Sequence, residues 1–334
     1  MSNTVEMKME KKKTPSTKNY AAILSDMAAY IGLVLVVIIF QILTGGKLLT
    51  VSNLQSLSNQ VIIVALVTIG AVFVFGMNCF DMSLGSGVLM GSVLGGMVAI
   101  ATGNMFLTFL VCMAAPLLMG LLKGIFASYV EVPFFIFTIV LSFVMSAVVL
   151  VILGNETTIY LKDAVTEIPT FSFSQMTAIN VGVLAGYFIL CLVLFNYTGV
   201  GVRTKMLGGS FDAARQTGIN LTKTKITGFL ISAIGIGLAA FLLLLRVRTV
   251  GSTTASSTGN DVMIALVLGG MPISGGPRSK ISAGIIGATT ITVLNSGLAI
   301  MGLSTGMIQL CRGIVFLVVV LVSSFSYRTK LLPR

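Results

Sequence analysis

The chain has 334 residues, of which 9% are charged and 56% hydrophobic, with a mean hydropathy of +1.04. Soluble domains carry about 25% charged residues, so the composition excludes a soluble globular protein. The apolar runs are about 20 residues long rather than alternating segments of about 10, which points to helices and not a β-barrel. The formal charge of +11 sits mostly in tails and loops, where positive-inside bias accounts for it without nucleic acid. Histidine is absent, which removes the commonest general base and metal ligand. Cys79, Cys112, Cys191 and Cys311 show no metal-ligand spacing and read as buried thiols. The expectation is an all-α integral membrane protein that is not itself an enzyme and uses no cofactor or metal.

In chain order, residues 1–20 form a polar, basic tail. The apolar stretch 21–44 is too long for a signal h-region and reads as an uncleaved first span. Nine further candidate spans follow at 54–76, 83–101, 105–128, 134–153, 178–196, 226–246, 260–274, 283–301 and 306–326. The eighth is short and glycine-rich and reads as a half-helix or re-entrant segment. The transmembrane domain is therefore 21–326, and 327–334 is a second tail. With the N-terminus inside, sixteen of the 21 Lys and Arg fall on the cytoplasmic side, counting the span-edge Lys123. Lys47, Lys162, Arg246 and Arg248 lie outside, and Arg312 falls within the tenth span. This bias predicts two cytoplasmic termini in a multi-pass cell-membrane protein. The Arg246/Arg248 pair is its main exception. Spans two to five begin outside and spans seven to ten begin inside, an arrangement that suits an inverted repeat with a transport path near the interface of its halves.

Three polar constellations interrupt the oil. The longest is the basic loop 197–225, with Arg203, Lys205, Arg215, Lys223 and Lys225 against Asp212. Within it Ser210 is a good N-cap, Asp212 follows in the first turn, Arg215 sits in the last turn, and Gly218 can take the left-handed C′ position. A helix this short is not stable alone in water, so it docks on this protein or on a partner; the alternative is an ordinary surface loop. The second constellation runs from Asn78 to Ser86. Asp81 or Ser83 can cap the following helix, and Gly87, Gly91 and Gly95 put three glycines on one face for close packing. The third joins Thr258, Gly259, Asn260 and Asp261 to the Gly/Pro cluster 269–278. Asp261 can cap span eight, and non-helical backbone at membrane depth marks a lined cavity or a protein-buried segment. Arg312 is the one strong charge inside a span; it is functional or snorkels to the surface. Asn295 and Gln309 either join helices or touch solute. The residues offered to a path are thus Asp81, Ser83, Asn260, Asp261, Asn295, Gln309 and Arg312. Ser274-Gly275-Gly276 is superficially similar to an ATPase signature, but the chain has no GxxxxGK[ST] loop to hold a phosphate.

Taken together, these motifs resemble the permease subunits of ABC importers in the ribose/xylose/galactoside and branched-chain amino acid permease superfamily. Phe80-Asp81-Met82-Ser83-Leu84-Gly85-Ser86 is similar to the family's segment after span two. Leu207-Gly208-Gly209-Ser210-Phe211-Asp212-Ala213-Ala214-Arg215-Gln216-Thr217-Gly218-Ile219 is similar to its cytoplasmic motif. Val267-Leu268-Gly269-Gly270-Met271-Pro272-Ile273-Ser274-Gly275-Gly276 is similar to its late Gly-Gly motif, and Asn295-Ser296-Gly297-Leu298 to its Asn-Gly-Leu. The similarity covers about residues 25–326. It departs at Gly259-Asn260-Asp261-Val262, where the family often has Tyr-Glu-Leu-Asp, and at Pro277-Arg278. The resemblance implies a type II importer-like fold with two inverted helix groups. It also implies pairing with a second permease copy or paralogue, a separate ATP-binding cassette ATPase and an extracytoplasmic solute-binding protein. The 210–218 helix, with Gly208, Gly209, Ser210, Phe211, Asp212, Ala214, Arg215 and Gly218, would sit in a groove of the ATPase. A path with few charges suits a small neutral polar solute, a monosaccharide first and then a nucleoside or related small molecule. The competing class is an ion-coupled secondary transporter or channel.

Overall fold

The computed structural model describes residues 20–130, 132–154, 158–161, 172–255 and 257–331. The basic N-terminal tail, the acids of the 154–177 loop and the last three residues lie outside the described residues. Twelve α-helices are present among the described residues: α1 (Tyr20–Leu43), α2 (Val51–Gly76), α3 (Leu84–Thr102), α4 (Met105–Tyr129), α5 (Phe134–Leu153), α6 (Phe173–Tyr197), α7 (Gly199–Gly209), α8 (Phe211–Gln216), α9 (Leu221–Val247), α10 (Thr258–Leu268), α11 (Ser282–Ile300) and α12 (Thr305–Leu331). Seven of them, α2 to α6, α9 and α11, are long and apolar enough to cross a membrane. Three shorter apolar stretches, Met27–Leu43, Thr258–Leu268 and Thr305–Leu321, fall on α1, α10 and α12. Every predicted span thus meets a helix, with ends displaced by no more than five or six residues, although length and composition qualify only seven as full crossings.

α2 and α9 form the core. Most of the second half of α2, from Ala65 to Gly76, is buried, and α9 runs antiparallel to it. Small residues permit the approach. A Cβ on Gly70 would lie 2.9 Å from Ser232 Cα, and one on Gly124 of α4 would lie 2.8 Å from Ile226 Cα. Such close backbone contact is how helices associate where lipid supplies no hydrophobic drive. The predicted glycine face of α3 behaves accordingly: Gly87 faces Ile236, and Gly91 faces Ala240. Two side-chain bonds tie α6 to this core. Asn180 Nδ2 donates to Asn59 Oδ1 at 2.8 Å, and Tyr187 Oη donates to Ile231 O at 2.7 Å.

α9 connects two chemically different ends. It starts just after α7 and α8, and it finishes at a two-stranded sheet in which β1 (Thr158–Tyr160) pairs antiparallel with β2 (Thr249–Gly251), Ile159 opposite Val250. Neither the strands nor α7 is visible in the residue pattern. α7 contains four glycines, which depress helix propensity, yet it forms because Thr198 caps it, accepting from Val200 N at 3.2 Å, and because Leu207 and Thr204 are buried.

Two helices begin inside the bundle instead of at its faces. α10 has 11 residues, about 16 Å of helix, roughly half of the ~30 Å hydrocarbon thickness. Residues 269–281 then continue without helix, with Met271, Ser279 and Ile281 buried. This bears out the half-helix reading of span eight. After α2, Asn78 takes φ 60°, a left-handed conformation that asparagine tolerates, and residues 79–83 turn back into the protein. The starts of α3 and α10 meet there: a Cβ on Gly85 would stand 2.8 Å from Gly259 N.

Candidate functional site

The polar island folds as its residues predict. Ser210 Oγ accepts from Ala213 N at 3.3 Å, which caps α8, with Asp212 in the first turn and Arg215 in the last. Gly218 (φ +77°) follows as a left-handed C′ residue. Gly218 N bonds Arg215 O at 3.1 Å and Ile219 N bonds Ala214 O at 3.3 Å, a pairing that satisfies the last helical carbonyls. Ala214 is fully buried and anchors the helix, whereas Phe211 is 48% exposed and Asp212 and Arg215 are exposed. The Lys225 ammonium lies 5.5 Å from the Phe211 ring centroid, and its Nζ also bonds Ala127 O. α8 is therefore docked by one face and offers an aromatic, an acid and a base on the other.

Gly208 and Gly209 join this helix to the core. Gly276 N donates to Gly76 O at 3.0 Å. A Cβ on Gly208 would overlap Gly76 O and lie 2.7 Å from Gly276 N, and one on Gly209 would press Pro277 at 3.3 Å. Three segments far apart in sequence, the end of α2, the end of α7 and the 269–281 segment, thus touch backbone to backbone. Two of the glycine pairs singled out in the sequence, Gly208/Gly209 and Gly275/Gly276, are the two sides of this junction.

At the other end of α2 lies a cavity of about 590 Å3. Its walls come from the first turns of α2 and α12, the last turns of α9 and α11, and the start of α10. Arg312 Nη1 donates to Asp261 Oδ1 at 2.7 Å, and Ser257 Oγ donates to Asp261 Oδ2 at 3.2 Å. Asn295 lines the same wall beside this pair. Arg312 therefore does not snorkel; its charge is held by α10. Asp261 sits in the first turn of α10, but Ser257 occupies the N-cap position, so Asp261 is a partner for Arg312 and not the cap. Thr292, Ser296, Asn53, Gln60 and Arg246 complete the polar wall. Asn53 Nδ2 donates to Leu48 O at 2.6 Å, and its Oδ1 accepts from Ser296 Oγ at 3.2 Å. Nearer the α8 end, a second cavity of about 200 Å3 is lined by apolar side chains alone, among them Phe75, Phe80, Met263, Met271 and Phe316.

Of the residues offered to a path, Asp261, Asn295 and Arg312 meet in the larger cavity. Asn260 and Gln309 are exposed and line neither cavity. Asp81 and Ser83 are fully buried elsewhere. Lys123 Nζ lies 2.6 Å from Asp81 Oδ2 and 3.3 Å from Ser83 Oγ, and Ser83 Oγ donates to Asp81 Oδ1 at 2.6 Å. Neither side chain caps α3: Ser83 occupies the N-cap position without a capping bond, because its hydroxyl is turned to Asp81. Lys123, counted from sequence at a cytoplasmic span edge, is 2% exposed. A buried pair so fully bonded reads as a brace between α3 and α4. Gln60, Asn53 and Thr292 carried no sequence signal, since a lone polar residue in a span is common, and Ser296 entered only as part of the Asn295-Ser296-Gly297-Leu298 motif. Arg246 did carry one, as an exception to the positive-inside pattern. Among the described residues no group of three or more Cys, Asp or Glu is placed to hold a metal.

Comparison with known proteins identifies the family. The chain is 28% identical to the ribose import permease protein of Bacillus subtilis (strain 168), over 94% of this chain and 98% of the relative. It is 26% identical to the xylose transport system permease protein of Haemophilus influenzae, over 88% and 96%. It is 25% identical to the fructose import permease protein of Rhizobium meliloti, over 88% and 83%. No solved structure matches the chain. The family model described as branched-chain amino acid transport system / permease component matches residues 53–320, and the chain belongs to that family, as a multi-pass membrane permease.

Proposed function

We propose that the chain is the membrane-spanning subunit of an ATP-driven importer for a small polar solute of the monosaccharide class. The observation that carries this reading is the continuous link from α8 through the Gly208–Gly76–Gly276 junction into α2, whose opposite end lines the polar cavity. A helix with one face docked and Phe211, Asp212 and Arg215 exposed is built to receive a partner. The chain has no phosphate loop of its own, so the ATPase is a second protein seated on α8. This makes the α8 end cytoplasmic and the β1/β2 end outer, in accord with the charge count. A solute-binding protein would deliver to the β end, and a second permease copy or paralogue completes the transporter. Ten crossings follow if α1, α10 and α12 complete the set. Two inverted groups, α2–α5 and α9–α12, are supported by the meeting of α3 and α10, the second helix of each group, at Gly85 and Gly259.

The ion-coupled alternative needs a buried carboxylate free to take up a proton or sodium. The two buried carboxylates among the described residues, Asp81 and Asp261, are both ion-paired. The deciding experiment is purification in mild detergent together with the ATPase encoded nearby, followed by uptake in proteoliposomes. Co-purification and uptake that requires ATP support the importer. Uptake that survives without ATP and collapses with the ion gradient refutes it.

A further inference from the structure

Lys225, near the start of α9, reaches two other helices at once. Its ammonium stands 5.5 Å from the Phe211 ring centroid on α8, and Nζ donates to Ala127 O at the end of α4. Ala127 O is among the last four carbonyls of α4, which lack partners within a helix and attract a cation. The covalent link from α8 to α9, Thr217 to Asn220, is short but not stiff, because it contains Gly218 at φ +77° and glycine turns freely. A swivel at Gly218 would let α8 turn without moving α9, and Lys225 closes across that swivel. What lies beyond Ala127 is tightly packed. A Cβ on Gly120 of α4 would lie 3.0 Å from Phe229 O of α9, on the same face as the contact of Gly124 with Ile226, the residue next to Lys225. One turn before Ala127, α4 carries Lys123, whose bonds to Asp81 and Ser83 hold the start of α3. The start of α3 in turn meets α10, where a Cβ on Gly259 would lie 2.8 Å from Met82 O. A displacement of Phe211 that reaches Ala127 therefore meets a continuous series of packed backbones and charged hydrogen bonds, the kind of network that carries coupling between distant sites.

Resting on the importer reading, we propose that Lys225 is a positioning residue for energy coupling: it ties α8 to the α4/α9 pair, so that movement of α8 under the ATPase reaches α3 and α10 by a route separate from the glycine junction on α2. The test uses the permease with its ATPase and binding protein in proteoliposomes. It reads labelled D-ribose, D-xylose and D-fructose imported per ATP hydrolysed, together with co-purification of the ATPase. Lys225→Met keeps the length of the side chain and removes its charge. It should retain the ATPase and its hydrolysis but import roughly tenfold less sugar per ATP, the factor that a hydrogen bond from a charged donor contributes. A side chain that only stabilised the fold would change the amount of active protein and leave this ratio as it was. Lys225→Arg keeps the charge and the donors and should restore most of the ratio. Phe211→Leu removes the ring, and the double variant Phe211→Leu/Lys225→Met should be no worse than the poorer single variant, because both break one link. A wild-type ratio in Lys225→Met overturns the proposal, and so does an additive loss in the double variant. Failure of Lys225→Met to retain the ATPase overturns it too, since the lysine would then belong to the docking surface. The importer reading fails in a different way, by the absence of ATP-driven uptake in the wild type itself.

Discussion

Replacing Gly208 with alanine adds one methyl group at the point where α7, α2 and the 269–281 segment touch. The new Cβ would overlap Gly76 O by more than about 1 Å and stand 2.7 Å from Gly276 N. All the opposing atoms are backbone, so no side chain can rotate away and a main-chain segment must move by about that distance. The displacement also stretches the 3.0 Å bond from Gly276 N to Gly76 O. Overpacking of this kind costs about 1–3 kcal/mol, and the weakened bond adds about 1 kcal/mol. Gly313 on α12 is the matched control, because nothing lies within 4 Å of a Cβ built there and alanine in an exposed helix position is favourable by about 1 kcal/mol. In proteoliposomes with ATPase and binding protein, Gly208→Ala should lose most import while the ATPase still hydrolyses ATP, whereas Gly313→Ala should import normally. If Gly208→Ala imports at the wild-type rate, the junction does not transmit motion and the coupling argument fails.

The other expectations concern separate parts of the molecule. Phe211→Asp and Arg215→Glu change the outer face of α8 and leave its buried anchor Ala214 in place, so both should insert and fold as wild type yet uncouple ATP hydrolysis from uptake; normal uptake in either would remove α8 from the coupling path. Lys123→Met leaves Asp81 charged and unpaired at zero exposure, a loss of about 3–5 kcal/mol. It should lower the melting temperature in detergent sharply, while the paired Asp81→Asn/Lys123→Met variant recovers much of the loss. An unchanged melt in the single variant would contradict the buried brace. Phe316→Ser places a hydroxyl in the apolar cavity between Phe80 and Met271. If that cavity is the dewetted cytoplasmic barrier, ATP-independent sugar leak should rise severalfold in vesicles, and unchanged leak would place the barrier elsewhere.

Much of the architecture is legible in the chain because membrane insertion imposes a local rule. Backbone polar groups in lipid must be satisfied within the segment, so a run of about 20 apolar residues becomes a helix whatever surrounds it, and α2 to α6, α9 and α11 stand where hydropathy puts them. The cap of α8 is local in the same sense: Ser210, Asp212, Arg215 and Gly218 lie within nine residues, and each acts on its neighbours' backbone. Where distant segments meet is a different kind of information. Asp81 and Lys123 are 42 residues apart, and Asp261 and Arg312 are 51 apart; in sequence each reads as a cap, a loop charge or a snorkelling residue. Packing decides that the first pair is sealed as a brace and that the second stands in a cavity wall. Packing likewise forms α7 against the propensity of its glycines, because those glycines let its backbone touch α2. Composition and periodicity alone determined a helical membrane protein with a short capped helix, and the resemblance of its motifs added the permease family. The tertiary structure decided what that helix is joined to and which polar residues share a cavity, since both depend on close contacts that no local segment encodes.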